Sequence, residues 1–253
     1  FPIPSAHMSV IREHVDNWLR SGIIEPANSP IFCVGKKDGG FRLCLDYRAI
    51  NKASLPTNYC IRTVEDCLSE IGANGSTAFC ALDLSSGFYH MPLHPESRPA
   101  SAFTVPGLGQ FQWRVGAMGL SGCPGSFARL MDMAMARLPN TITYLDDILV
   151  HARGEEATLV ALRRVLQRLR LHDLRLNLPK SLFLRRNTPY LGHSLSASGV
   201  TPGPDKCKAL RALTPPTSPK QLRSFLGMVN YFRSYVPAFA TRAAPLYRLT
   251  RPN

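Results

Sequence analysis

Three aspartates stand where a folded chain normally places hydrophobic side chains. Asp146 and Asp147 interrupt TITYLDDILVH (141–151), whose other members are mostly β-branched, aromatic or aliphatic, and Asp83 falls near the end of the apolar run TAFCALDL (77–84). Removing an ionised carboxylate from water is costly unless a cation or hydrogen bonds compensate. The acids therefore need a turn that reaches solvent, a metal, or both. Three carboxylates from two strand ends are the ligand set of a two-metal phosphoryl-transfer site, in which divalent ions roughly 3.5–4 Å apart share hard oxygen donors. Successive side chains of a strand point to opposite faces. Asp146 and Asp147 can thus serve one site only at a bend, which predicts Asp83 and Asp146 as the main bridging ligands and Asp147 as a secondary carboxylate beside them at the turn.

The elements that must hold these acids follow from the pattern of the chain. Val10, Ile11, Val15, Trp18 and Leu19 lie on one helical face over 8–20, with Gly22 as a stop. Residues 31–51 read as a hairpin around a basic glycine turn at 36–40, its second strand carrying Arg42 and Asp46. A short helix over 63–71, the strand 77–84 with Asp83, a helical turn at 85–90 and a hairpin over 99–115 come next. A helix over 124–138 begins at Pro124, followed by the hairpin with the paired acids. An amphipathic helix spans 155–171, with Arg163, Arg164, Arg168 and Arg170 mainly off its apolar stripe. Short strands at 181–184 and 190–195 and a proline-bearing segment at 199–204 lead to two or three helices between Pro215, Pro216, Pro219 and Pro237.

Composition narrows the class. The 253 residues suffice for two or three subdomains, and no apolar stretch nears the roughly 20 residues of a bilayer span. A net charge of +13 favours a polyanionic partner, nucleic acid ahead of a membrane surface. The seven cysteines include no C-x-x-C pair and read as reduced core thiols, which fits an intracellular setting. His90 and His94 have helical metal spacing, but Pro92 and Pro95 interrupt the segment and exclude that reading. Opening at Phe1 without methionine, the chain reads as a fragment.

Tyr144, Leu145, Asp146 and Asp147 resemble the Tyr-x-Asp-Asp signature of reverse transcriptases. The stretches 36–51 (KKDGGFRLCLDYRAIN), 82–96 (LDLSSGFYHMPLHPE), 190–202 (YLGHSLSASGVTP) and 222–237 (LRSFLGMVNYFRSYVP) are similar, in order, to segments of the enzymes of gypsy-type LTR retrotransposons. The resemblance implies an α+β right-hand polymerase: fingers over 1–54, palm over 55–90 with the first catalytic Asp, a fingers hairpin over 91–115, palm over 116–194, and a thumb-like or connection-like helical part over 195–253. It implies Asp83, Asp146 and Asp147 as catalytic metal ligands for two Mg2+ ions, with Mn2+ as a substitute.

The resemblance also implies Lys36 and Arg42 on the incoming triphosphate, with Lys37 able to replace Lys36, and Phe88 as a gate against a 2′-hydroxyl. On its residues alone, Phe88 reads as core packing. Tyr144 and Leu145 would touch primer and nucleotide, Met118 would wall the nucleotide pocket, and Leu191, Gly192 and His193 would position the primer end. The implied partners are an RNA or DNA template with a DNA primer, deoxynucleoside triphosphates and the rest of a Pol polyprotein, with no membrane. The implied location is intracellular, cytoplasmic with the nucleus as an alternative. The loop 116–123 (GAMGLSGC) departs from the family's usual Met-Pro-Phe-Gly-Leu, and Ala128 replaces a usual glutamine. Two further readings stand beside polymerisation: a catalytically impaired or domesticated nucleic-acid-binding module, and a generic metal-dependent nuclease, which leaves the hairpin, gate and grip motifs unexplained. No ribonuclease H acidic cluster is expected within these residues.

Overall fold

The computed structural model of the protein describes residues 8–26, 34–35, 41–42, 45–55, 58–105 and 107–250. Helix α1 (Met8–Arg20) buries Ile11 and Val15, as its apolar stripe predicts, and leads into β1 (Ile24–Pro26). Strands β2 (Val34–Gly35) and β3 (Phe41–Arg42) pair antiparallel, while the basic turn expected at 36–40 lies outside the described residues. The hairpin reading does not extend to Asn51. Residues Arg48–Ala53 form helix α2, because Arg, Ala and Lys favour helix and the Asp46 carboxylate accepts the Arg48 backbone N–H at 3.1 Å. Helix α3 (Val64–Ala73) starts with a capping box, in which Thr63 Oγ1 accepts the Asp66 N–H and Asp66 reaches back to the Thr63 N–H.

Strand β4 (Ala78–Asp83) precedes two short 3-10 turns, Pro95–Ser97 and Pro99–Ser101, where prolines replace the start of the expected hairpin. The hairpin itself is shorter: β5 (Phe103–Val105) and β6 (Gly109–Trp113), which together with β1 form the sheet β1-β6-β5. Trp113, Phe103 and Phe111 fill its core with α1. Helix α4 (Gly122–Ala134) leads to β7 (Thr141–Tyr144) and β8 (Asp147–Ala152), and α5 (Glu155–Leu171) follows as predicted. Glu155 and Glu156 at its start and Arg168 and Arg170 at its end complement the helix dipole.

The chain then supplies β9 (Leu182–Arg185), completing a four-stranded antiparallel sheet in the order β7-β8-β4-β9. Strands β10 (Thr188–Tyr190), β11 (His193–Ser196) and β12 (Gly199–Pro202) form a separate sheet. Residues 199–202, part of the segment 199–204 read only as proline-bearing, are thus its third strand. Helices α6 (Pro204–Arg211), α7 (Pro219–Asn230) and α8 (Phe239–Arg248) end the described chain, and Leu222, Leu226 and Ala243 share a small core there.

The four-stranded sheet is covered on both faces. Cys80, Leu82, Ile148 and Val150 face α4 and α5, against Phe127, Met131, Val165 and Leu169. Phe79 and Leu149 face α3 and the β10–β12 sheet, against Cys67, Ile71, Tyr190 and Leu195. Burial on both sides explains the almost continuous apolar composition of β4 and β8. It also fixes the register, because a slip of one residue would exchange the two cores. Among the described residues no helix is long and apolar enough to cross a membrane.

Candidate active site

The ladder between β4 and β8 pairs Ala81 with Leu149 and ends by pairing Asp83 with Asp147. Directly opposed residues of antiparallel strands share a face, their Cβ atoms about 4.5–5.5 Å apart. Tyr144 pairs with Asp147 across β7 and β8, so Leu145 and Asp146 form a two-residue turn. Leu145 adopts φ +53°, a left-handed conformation that costs an L-residue about 1–2 kcal/mol. The position expected for Asp147 is therefore corrected. Asp146 occupies the turn, exposed, while Asp147 is the first residue of β8 and faces Asp83, because the β4–β8 register places it there.

Backbone contacts hold this end of the sheet. The Leu84 N–H donates to the Asp146 carbonyl at 3.2 Å, and the Asn177 N–H donates to the Asp83 carbonyl at 2.8 Å. The Asp83 N–H donates to the buried hydroxyl of Ser181 at 3.2 Å. Burial, followed by the negative charges of Asp146 and Asp83, pushes the Asp147 carboxyl up to about 6, against the pull of Lys180. Among the described residues no three His, Cys, Asp or Glu side chains form a metal-binding group as they stand. The donor set nevertheless fits a hard divalent cation. It is all oxygen, and its mutual repulsion is what a cation would neutralise.

Asp83, Asp147, Lys180, Tyr190, Leu191 and Gly192 line a cavity of about 310 Å³. A larger cavity, about 520 Å³, lies between Asn51, Met91, Gly116 and Ser126 and contains none of the three aspartates. The smaller one is lined by two of the three aspartates. The Tyr190 side chain is buried and its hydroxyl has no hydrogen-bond partner among the described residues.

The structure places the other expected residues in different settings. Leu145 belongs to the acid turn, and half-buried Tyr144 packs against the Ile142 and Leu149 cluster. Phe88, in the 3-10 turn Gly87–His90, meets Phe127 edge to face at 5.6 Å and packs on the core between sheet and α4. Met118 is exposed, in a loop that Asn51 clamps: its side-chain amide donates to the Gly119 carbonyl at 2.8 Å and its Oδ1 accepts the Ser121 N–H at 2.9 Å. Lys36 lies outside the described residues, and of Arg42 only the backbone pairing with Val34 is described. His90 is held structurally, between the Gly87 carbonyl at 3.1 Å and the Arg175 N–H at 3.1 Å.

Leu191 and Gly192 form the two-residue turn between β10 and β11 and reach the acid cavity. His193 is buried beneath them, 2.6 Å from the Tyr235 hydroxyl through Nδ1 and 3.0 Å from the Tyr231 hydroxyl through Nε2. Burial holds its pKa below the usual histidine range; Glu65 opposes that and Lys206 reinforces it. Sequence reasoning missed Lys180, Ser181 and the two tyrosines. Lys180 carried a usable signal as a lone cation in LPKS just before a strand, whereas Tyr231 and Tyr235 lie in a helical stretch with nothing to link them to the sheet.

Residues 34–195 match the family described as reverse transcriptase (RNA-dependent DNA polymerase). The chain is 32% identical over 262 residues to the retrovirus-related Pol polyprotein from transposon opus of Drosophila melanogaster, covering 99% of this chain and 26% of that protein. It is 30% identical to the transposon Tf2-3 polyprotein of Schizosaccharomyces pombe, covering 100% of this chain and 19% of that one. The chain thus spans about a quarter or less of the length of these relatives. Among solved structures, a foamy viral protease-reverse transcriptase in complex with double-stranded DNA superposes with TM-score 0.88 at 28% identity, over 98% of this chain and 44% of that one. Another, in complex with an RNA/DNA hybrid, superposes with TM-score 0.80 at 27% identity, over 99% of this chain and 34% of that one.

Proposed function

The chain belongs to the reverse transcriptase family, and from that premise we propose that it extends a DNA primer 3′-hydroxyl with deoxynucleoside triphosphates on an RNA or DNA template. The observation that carries this reading is the pairing of Asp83 with Asp147 beside the turn that bears Asp146. In this reading the four-stranded sheet is the palm, and the five segments divide as fingers, palm, fingers hairpin, palm and thumb-like helices. The foamy viral complexes with double-stranded DNA and with an RNA/DNA hybrid support a duplex partner.

Asp83, Asp146 and Asp147 would hold two Mg2+ ions, or Mn2+ in their place. When bound, such ions lower the pKa of the attacking hydroxyl and neutralise charge on the leaving pyrophosphate. The chain's own contribution is placement. The β4–β8 register sets two carboxylates face to face, the Leu145–Asp146 turn adds the third, and Lys180 balances part of their charge. Leu191 and Gly192 border the same cavity and position the primer end. Leu145 and Met118 meet the nucleotide, Tyr144 the primer, Lys36 and Arg42 the triphosphate, and Phe88 limits the sugar.

In this reading the parent element is of the gypsy type, the rest of a Pol polyprotein is a partner, and the work is intracellular, in the cytoplasm with the nucleus as the alternative. Primer extension on an RNA template with Mg2+ and deoxynucleotides tests the activity. Salt-sensitive duplex binding without extension would leave a binding module in its place.

A further inference from the structure

The β10–β11 turn is gripped from the C-terminal part of the chain through a continuous line of hydrogen bonds. The Tyr231 hydroxyl donates to the Gly192 carbonyl at 2.9 Å. With its proton used there, its oxygen accepts from His193 Nε2–H at 3.0 Å. His193 Nδ1 is then the acceptor for the Tyr235 hydroxyl at 2.6 Å. This order gives a neutral imidazole, in keeping with its burial. The Tyr231 ring also stacks on His193 with centroids 5.3 Å apart, and Lys206 Nζ lies 5.2 Å from the centre of the same ring.

The Gly192 carbonyl is held a second time, by the Gly203 N–H at 3.0 Å. Contact is close enough to dictate residue type. A Cβ on Gly203 would lie 2.6 Å from the Gly192 carbonyl oxygen, and one on Gly192 would lie 2.9 Å from the Tyr231 hydroxyl. Gly192 also sits at φ +80°. This turn, through Leu191 and Gly192, also borders the cavity with Asp83 and Asp147. One small hairpin thus borders the acid cavity and carries the clasp.

We propose that His193, held between Tyr231 and Tyr235, is a positioning residue that fixes the Leu191–Gly192 turn against the acid cavity. Placement of the primer end thereby depends on the helical segment that follows the palm. The side chain itself does not touch substrate, because it is buried at 5% exposure and both ring nitrogens are occupied. The proposal rests on the polymerase reading for what the turn holds. The clasp itself rests on geometry alone.

The test compares the whole chain with His193→Phe, which keeps an aromatic ring and removes both hydrogen bonds, and with Tyr231→Phe and Tyr235→Phe, which each remove one hydroxyl. A His193→Gln variant restores a donor and an acceptor. In steady-state extension of a DNA primer on RNA, His193→Phe is expected to raise KM for primer-template about tenfold, as when a contact made equally in the ground and transition states is lost. KM for the deoxynucleotide stays within about twofold, since the interaction lost is with the duplex. His193→Gln recovers part of the loss. His193→Phe combined with Tyr231→Phe is no worse than His193→Phe, as expected of residues in one chain of contacts.

Wild-type KM in His193→Phe, or full additivity in the double variant, overturns the proposal. If His193→Phe fails to fold, the two tyrosine variants decide in the same way. Amide exchange over 190–193 is followed in parallel and needs no activity. Faster exchange in the variants supports the clasp, and unchanged exchange removes it. A wild-type chain that extends nothing defeats the polymerase reading separately.

Discussion

Two hairpin turns in this protein share one frame and differ in what packs on them. YLDD (144–147) and YLGH (190–193) each close a two-residue turn, pairing Tyr144 with Asp147 and Tyr190 with His193. Each puts a leucine at positive φ in its first turn position, +53° at Leu145 and +48° at Leu191. Only the second has a glycine at positive φ in the next position, the pattern of a type I′ turn, whereas the first follows type II′. The acid turn leaves Asp146 exposed, with one backbone bond from Leu84. The other turn is bonded from Gly203 and Tyr231 and rests on a buried histidine. The same local geometry presents charge in one place and accepts restraint in the other. The residue after the leucine, together with distant contacts, makes the difference.

That contrast is broken most severely at the carboxylates. Asp83→Asn and Asp147→Asn should each lower primer extension by at least about a hundredfold, the upper range for losing even an outer partner of a metal ligand. Thermal melting without metal should show Asp147→Asn at or above the wild-type temperature, since a repelled charge is gone. Asp146→Asn, at the exposed turn, should cost activity and bring a smaller gain in stability, since it relieves only its own repulsion of Asp147 and not the burial of that charge. Equal rates in variants and wild type would remove the acids from the chemistry.

On the restrained turn the expected loss is of folding. Gly203→Ala forces a methyl against the Gly192 carbonyl, a backbone atom with little room to yield, and should cost about 2 kcal/mol in denaturant unfolding. An unchanged midpoint would mean that the two segments do not bear on each other.

The two turns should also answer differently to pH. Asp147 has a carboxyl raised from 3.8 to about 6 in the fold, so the folded chain binds that proton more tightly than the unfolded one. Its stabilising contribution is full below about pH 4 and is lost as pH rises through about 6. Melting of the metal-free protein should show this step, and Asp147→Asn should abolish it. Lys180→Ala should move the step to higher pH, because its charge opposes the rise. Retention of the step in Asp147→Asn would assign it elsewhere.

The smallest effect concerns the shared leucines. Leu145→Gly and Leu191→Gly relieve positive φ but free the unfolded chain and remove a side chain, so each should shift stability by no more than about 1 kcal/mol. Leu145→Gly should still reduce extension, which a purely structural leucine would not do.

Much of this was legible beforehand. The amphipathic stripes located α1 and α5, and the misplaced acids pointed to strand ends that do meet across the β4–β8 ladder, because periodicity and misplaced charge are local signals. Short elements were harder. Residues 48–51 were read as the end of a hairpin and lie in the helix Arg48–Ala53, since six residues carry little periodicity. Residues Gly199–Pro202 pair as β12 despite Pro202, which stands at the end of the strand, where a missing N–H costs least.

What the sequence determined by itself was the family of motifs, the kind of chemistry the three carboxylates can do, and the two tyrosine-leucine turns. The tertiary structure alone decided that Asp147, rather than Asp146, faces Asp83, that Lys180 and Tyr190 share their cavity, and that Tyr231 and Tyr235 clasp His193. The reason is that strand register and side-chain hydrogen bonds join segments far apart in the chain. Their pairing is fixed by how the two faces of the sheet are buried together, and no local pattern encodes that.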